Sequence, residues 1–67
     1  MEIYFNNQLQ QVEEQSSVLT LLDRLVGDKQ KGIAVAVNQS IVPRTEWENR
    51  ILQQHDKILV IKATQGG

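Results

Sequence analysis

The sequence contains no cysteine, and only one proline, one histidine, one tryptophan, one tyrosine and one phenylalanine in 67 residues. Without cysteine there is no disulfide to staple the fold and no thiolate cluster to hold zinc. A single histidine, His55, leaves a metal site without its usual ligands. Charge of one sign is also missing: the net charge is −1, and the basic surplus of a nucleic-acid binder is absent. No stretch approaches the roughly 20 apolar residues of a membrane span. The longest apolar runs, Ile33 to Val37 and Ile58 to Ile61, are the size of strands. The N-terminus, Met1 to Asn6, lacks the basic-then-apolar order of a signal peptide, so the chain is expected in the cytoplasm. Asn38-Gln39-Ser40 matches a glycosylation acceptor, a match that reads as chance in that setting.

What remains is one domain of globular composition, 22% charged and 40% hydrophobic. A chain this short buries only about 60% of its unfolded surface. Its core is expected to supply only about 3–5 kcal/mol of net stability. A ligand cleft of about 300–1,000 Å³ would consume that core, which argues against an enzyme pocket.

Ile3 and Phe5 alternate with polar neighbours and predict a first strand. Asn6-Asn7-Gln8 predicts a turn, because Asn tolerates positive φ. Leu9 to Glu13 predicts a weaker partner strand, with Leu9 and Val12 its apolar members. Ser16 and Ser17 offer N-caps for a helix whose Val18, Leu21, Leu22 and Leu25 recur at i, i+3, i+4, i+7. Leu19 and Val26 widen that stripe, and Gly27 suits the left-handed residue that ends a helix. Asp28 to Gly32 predicts a polar loop, followed by a buried strand at Ile33 to Val37. Ile41 to Arg44 predicts an edge strand, since Pro43 cannot donate to a ladder. Thr45 and Glu48 have capping-box spacing, which predicts one helical turn carrying Trp47. Lys57 to Lys62 predicts a final, interior strand, apolar on both faces. One helix can cover only one face of a four- or five-stranded sheet, so the other face stays partly open. Residues 1–62 are expected to form the domain, and 63–67 a flexible tail.

Few residues offer chemistry. Gly27 to Gly32 imitates half a phosphate-binding loop, but Ile33-Ala34 stand where Lys and Ser/Thr are required. His55-Asp56 reads as a turn before the last strand, since adjacency does not make a triad. Glu13-Glu14 and Glu46/Glu48 read as solvated surface. Trp47 reads as packing over the sheet edge, with a partner anchor as the alternative. The C-terminal Gly66-Gly67 is the feature without a packing purpose. Two glycines form a thin strand that threads a narrow channel, and Gln65 to Gly67 reaches about 10 Å at roughly 3.3 Å per residue. The terminal carboxylate, with a pKa near 3.5, is ionised and a poor electrophile, so it needs activation, as in an acyl-adenylate.

Taken together, Ile3-x-Phe5-Asn6, Asn38-x-x-Ile41-Val42-Pro43-Arg44-x-x-Trp47, and Asp56-x-Ile58 running to Gly66-Gly67 resemble the thiamine-biosynthesis sulfur-carrier family (ThiS), within the ubiquitin-like β-grasp superfamily. The resemblance covers essentially the whole chain, and His55 departs from it where the family commonly has glycine. It implies an α+β fold, a ubiquitin-like β-grasp with a mixed sheet and one main helix packed on one face. It also implies a protein co-substrate rather than an enzyme. In that family a ThiF-like enzyme uses ATP to adenylate the terminal glycine. Sulfur drawn from cysteine through a persulfide relay then replaces AMP, leaving a thiocarboxylate. Thiazole synthase (ThiG) takes up that sulfur. By this resemblance Gly67 carries the chemistry, Gly66 gives it access, and no cofactor is bound. Counting back from the glycines places Ile58 and Val60 in the core. Leu59 and Ile61 then face outward beside Tyr4, where the three are expected to dock a partner.

Three other functions remain open. The small subunit of molybdopterin synthase shares the fold and the Gly-Gly end but is usually longer, and Val42-Pro43-Arg44-x-x-Trp47 favours thiamine. A ubiquitin-like modifier uses the same tail. A passive β-grasp binding module does not need it, and as an RNA binder it would show more basic residues than Lys29 and Lys31.

Overall fold

The computed structural model describes residues 1–27 and 32–62. Two Asn-led pairs frame its sheet. Strands β1 (Glu2–Phe5) and β2 (Gln8–Gln11) pair antiparallel with Phe5 opposite Gln8, leaving a two-residue turn at Asn6-Asn7. Strands β3 (Ile33–Val37) and β4 (Ser40–Ile41) pair in the same way around Asn38-Gln39. All four turn residues have positive φ (49°, 69°, 51° and 72°). That is the type I′ geometry whose twist matches a hairpin, and Asn at its first position tolerates it well. Strand β5 (Lys57–Lys62) lies between the hairpins, parallel to β1 and antiparallel to β3. The order is β2-β1-β5-β3-β4, so the sheet is mixed and has five strands. Strand β5 is interior, as expected, and short β4 is an edge. The strand predicted over Ile41 to Arg44 is cut short because Pro43 has no N–H; Val42 adds one last bond, its N–H donating to the Val35 carbonyl at 2.8 Å.

Helix α1 (Val18–Leu25) covers one face. Ser17 is its N-cap, its Oγ accepting from the Thr20 N–H at 3.1 Å. The first-turn donors that a helix leaves free all find partners. The N–H groups of Val18 and Leu19 donate to the carbonyls of Arg50 and Trp47, and that of Leu21 to the Ser17 carbonyl. The segment after β4 is thus bonded to the start of the helix. Gly27 follows the C-cap with φ +66°, the left-handed stop the sequence predicts. Val18, Leu21 and Leu22 are fully buried, each contributing roughly 1.5–3 kcal/mol of gross transfer energy. They pack with Ile3, Val35, Val37 and Ile58 from the sheet, and with Val42, Trp47 and Leu52. The architecture is the β-grasp that the resemblance implies.

Two local expectations are corrected. The turn after β4 is a 3-10 helix, Arg44–Glu46, whose N-cap is Pro43, with no side-chain cap bond. The Thr45/Glu48 capping box therefore does not form; Pro43 takes the capping position two residues before Thr45. The partner strand predicted over Leu9 to Glu13 spans Gln8–Gln11, because the turn before it takes only Asn6-Asn7; Leu9 lies in it opposite Tyr4 and is 53% exposed, while Val12, buried, lies just past its end.

Candidate functional site

The candidate site consists of β5, the sheet face it shares, and the C-terminal end it leads to. Gly66 and Gly67, and the boundary proposed at residue 63, lie outside the described residues, as does the 28–31 part of the phosphate-loop imitation.

Strand β5 is fixed at its start by two segments that carry the family resemblance. Asp56, just before it, is buried. One carboxylate oxygen accepts from the Asn38 side-chain amide at 2.9 Å, and the other from the Gln53 N–H at 2.8 Å. Asn38 uses its side-chain oxygen to accept the Lys57 N–H at 2.9 Å, while its own N–H donates to the Lys57 carbonyl at 2.8 Å. The Asp56 carbonyl accepts the Tyr4 N–H at 2.8 Å. Asn38 therefore joins the β3–β4 turn to the root of β5, and Asp56 joins that root to β1. Among the described residues no buried side-chain polar atom lacks a partner. His55 precedes this junction with φ +68°. Its side chain is 62% exposed, and its Nε2 is 4.0 Å from a Glu2 carboxylate oxygen.

Val42-Pro43-Arg44-x-x-Trp47 proves to be a packing motif. Trp47 is buried in the core, and its indole N–H donates to the Val42 carbonyl at 2.9 Å. The Arg44 guanidinium lies over its ring, 5.5 Å from the centroid. This geometry removes the reading of Trp47 as a partner anchor.

The uncovered face follows from cross-strand register, because residues directly opposite share a face. Leu9 is opposite Tyr4, and Tyr4 opposite Lys57. Leu59 is opposite Ala36, which is opposite Ile41, and Ile61 is opposite Ala34. Tyr4, Leu59 and Ile61 therefore share this face. Leu59 and Ile61 are 45% and 50% exposed, while Ile58 is buried and Val60 packs on the core. Leu9 and Ile41 extend the apolar stripe to both edge strands and are themselves mostly exposed. Period-two reading missed them; only the register of both hairpins reveals that they face the same way. A shallow depression of about 300 Å³ lies among Tyr4, Ala36, Lys57 and Leu59. Among the described residues no group of His, Asp or Glu is placed to hold a metal ion, and no helix is long and apolar enough to cross a membrane.

Comparison with known proteins agrees with this geometry. The model of the ThiS family matches residues 2–67. The sulfur carrier protein ThiS of Escherichia coli (strain K12) is 42% identical over 67 residues, covering all of both chains. The crystal structure of the thiamine biosynthesis protein ThiS from Geobacter metallireducens superposes with a TM-score of 0.87 at 20% identity, each chain fully covered. A solution structure of a thiamine biosynthesis protein from the same organism gives 0.76 at 20% identity, covering all of this chain and 88% of the other. At that identity the two structures speak for the fold.

Proposed function

The chain belongs to the ThiS family, and from that premise we propose that it is a sulfur carrier protein in thiamine biosynthesis, a co-substrate of other enzymes and not itself a catalyst. The observation that carries the reading is full-length correspondence with a sulfur carrier at 42% identity. The geometry is consistent with it, since the residues of the family resemblance build the root of β5 and the core rather than a cleft.

Gly67 is the residue that is adenylated and then converted to a thiocarboxylate. A carboxylate resists nucleophiles, and transfer to AMP gives its carbon a good leaving group. The terminal sulfur of the persulfide displaces AMP to form an acyl disulfide, and a second thiol cleaves its S–S bond, itself becoming part of a disulfide, to release the thiocarboxylate. Gly66 lets the end pass through a narrow channel because it has no side chain. Residues 1–62 are the body that docks and 63–67 the segment that reaches. The partners are a ThiF-like adenylating enzyme, a cysteine-derived persulfide relay and the thiazole synthase ThiG. ATP and the sulfur donor belong to those enzymes, and the carrier binds no cofactor. The work is done in the cytoplasm. Docking uses the open face around Tyr4, Leu59 and Ile61, widened by Leu9 and Ile41; such exposed apolar stripes mark interaction surfaces.

The test is intact mass after incubation with ATP, the adenylating enzyme and a sulfur donor. One oxygen-for-sulfur exchange, absent when Gly67 is deleted, is expected. No exchange with an enzyme of proven activity would overturn the reading.

A further inference from the structure

On the sulfur-carrier reading, everything depends on where β5 points as it ends, and the described contacts there are uneven. On its β3 side β5 is paired along its whole length, through Ile33 opposite Lys62. On its β1 side the paired register ends at Phe5 opposite Ile58, because β1 turns away at Asn6.

One group replaces the strand that has left. In a parallel ladder, residue i donates its N–H to one neighbour residue and accepts, on its carbonyl, from the residue two further on. Tyr4 begins that pattern by donating to the Asp56 carbonyl at 2.8 Å, and Asn6 continues it by donating to the Ile58 carbonyl at 2.8 Å. The next rung calls for the Val60 N–H to reach the Asn6 carbonyl. Asn6 has φ +49° and has entered the hairpin turn, and its side-chain Oδ1 accepts the Val60 N–H instead, at 2.8 Å. The side chain of a turn residue thus supplies the acceptor the backbone has withdrawn. The ladder runs one rung past the end of β1, to within two residues of Lys62.

We propose that Asn6 is a positioning residue for the sulfur-transfer reaction: its side-chain oxygen latches Val60 and so fixes the direction in which β5 delivers the C-terminal glycines. The lever is long. Five residues separate Lys62 from Gly67, a span of up to about 16 Å at roughly 3.3 Å per residue. Where and in which direction β5 ends sets the region those residues can search, so a β5 that swings at its root presents the tail to the partner in fewer of its encounters. The latch does not touch the reacting atoms. It raises the fraction of molecules whose β5 is aligned when the carrier docks, and a smaller competent fraction raises the apparent binding constant by that factor.

The test rests on a substitution pair that separates the turn from the latch. Asn6→Gly keeps a residue at ease with positive φ and removes the acceptor. Asn6→Asp keeps an acceptor oxygen and also tolerates the left-handed region. In Asn6→Gly, amide exchange at Val60 is expected to quicken roughly tenfold, the factor of one ordinary hydrogen bond, while exchange at Val35 is unchanged. With the adenylating enzyme, Asn6→Gly is expected to raise KM roughly three- to tenfold at unchanged kcat, and Asn6→Asp to restore it. Equal KM for Asn6→Gly and the unaltered chain would overturn the proposal, as would an Asn6→Asp variant as poor as Asn6→Gly. Unchanged Val60 exchange would overturn the latch itself. If the unaltered chain is not adenylated at all, the carrier reading fails instead, and the exchange result alone then decides whether Asn6 holds Val60.

Discussion

Replacing His55 with glycine should make this protein more stable, although it removes a side chain. His55 sits at φ +68°, a region that costs an L-residue about 1–2 kcal/mol. Glycine removes that strain but adds about 0.5–1 kcal/mol of unfolded-state entropy. The difference favours glycine by about 0.5–1 kcal/mol. Little is lost with the imidazole, which is 62% exposed and 4.0 Å from Glu2, a separation at which exposed pairs contribute almost nothing. The backbone bond from the His55 N–H to the Glu2 carbonyl, 2.6 Å, needs no side chain and survives. In a domain of this size about 1 kcal/mol moves Tm by roughly 4–8 °C, so His55→Gly should raise Tm by about 2–8 °C. Thermal unfolding followed by circular dichroism measures it, with urea titration checking that the m-value is unchanged. His55→Ala is the control, because it discards the imidazole but keeps the strain; it should leave Tm level or slightly lower. A fall in Tm for His55→Gly, or an equal rise for His55→Ala, would refute the backbone argument.

Three further outcomes follow from the same geometry. Trp47→Phe leaves the buried Val42 carbonyl without its 2.9 Å donor and opens a void, so urea denaturation should show a loss of about 2–3 kcal/mol, a large share of what so small a core supplies. Asp56→Ala strands the Asn38 amide and the Gln53 N–H and should destabilise by about 2–3 kcal/mol; a loss under about 0.5 kcal/mol, the level of an ordinary surface change, would mean that water replaces the carboxylate fully. Leu59→Lys alters a side chain that is 45% exposed, so Tm should hardly move while kcat/KM for adenylation falls at least about tenfold, the scale of one lost apolar contact at an interface; unchanged transfer would remove Leu59 from the docking face.

Most of the fold is legible in the chain because its elements are punctuated. Val18, Leu21, Leu22 and Leu25 have helical spacing between Ser17 and Gly27, and each signal points to the same element. Central placement of β5 follows from an apolar run that one face alone cannot use. The misses have specific causes. Thr45 and Glu48 satisfy a capping pattern, but Pro43 takes the capping position first. The outward aim of Leu9 and Ile41 depends on two hairpin registers that alternation within one strand does not contain. Asn38 and Asp56 are 18 residues apart and look like turn residues; only folding brings the amide to the carboxylate. His55 is different in kind. As the departure from a family glycine it was visible in the sequence, and its positive φ now supplies the reason glycine suits that place.

The sheet divides its two faces by necessity. One short helix gathers Ile3, Val35, Val37 and Ile58 into the core, and a chain of 67 residues has little apolar surface to spare beyond that. Leu9, Ile41, Leu59 and Ile61 nevertheless stand exposed, with Tyr4 among them, on the face the helix does not reach. Burying them would strengthen the fold only with a second layer that the chain is too short to build. Left open, Leu59 and Ile61 lie on β5, the strand that leads to the terminal glycines, so on the proposed docking a partner gripping this face would also hold the base of the tail. Charged substitutions on this face should therefore weaken transfer while leaving stability nearly untouched, whereas substitutions beneath the helix should do the reverse.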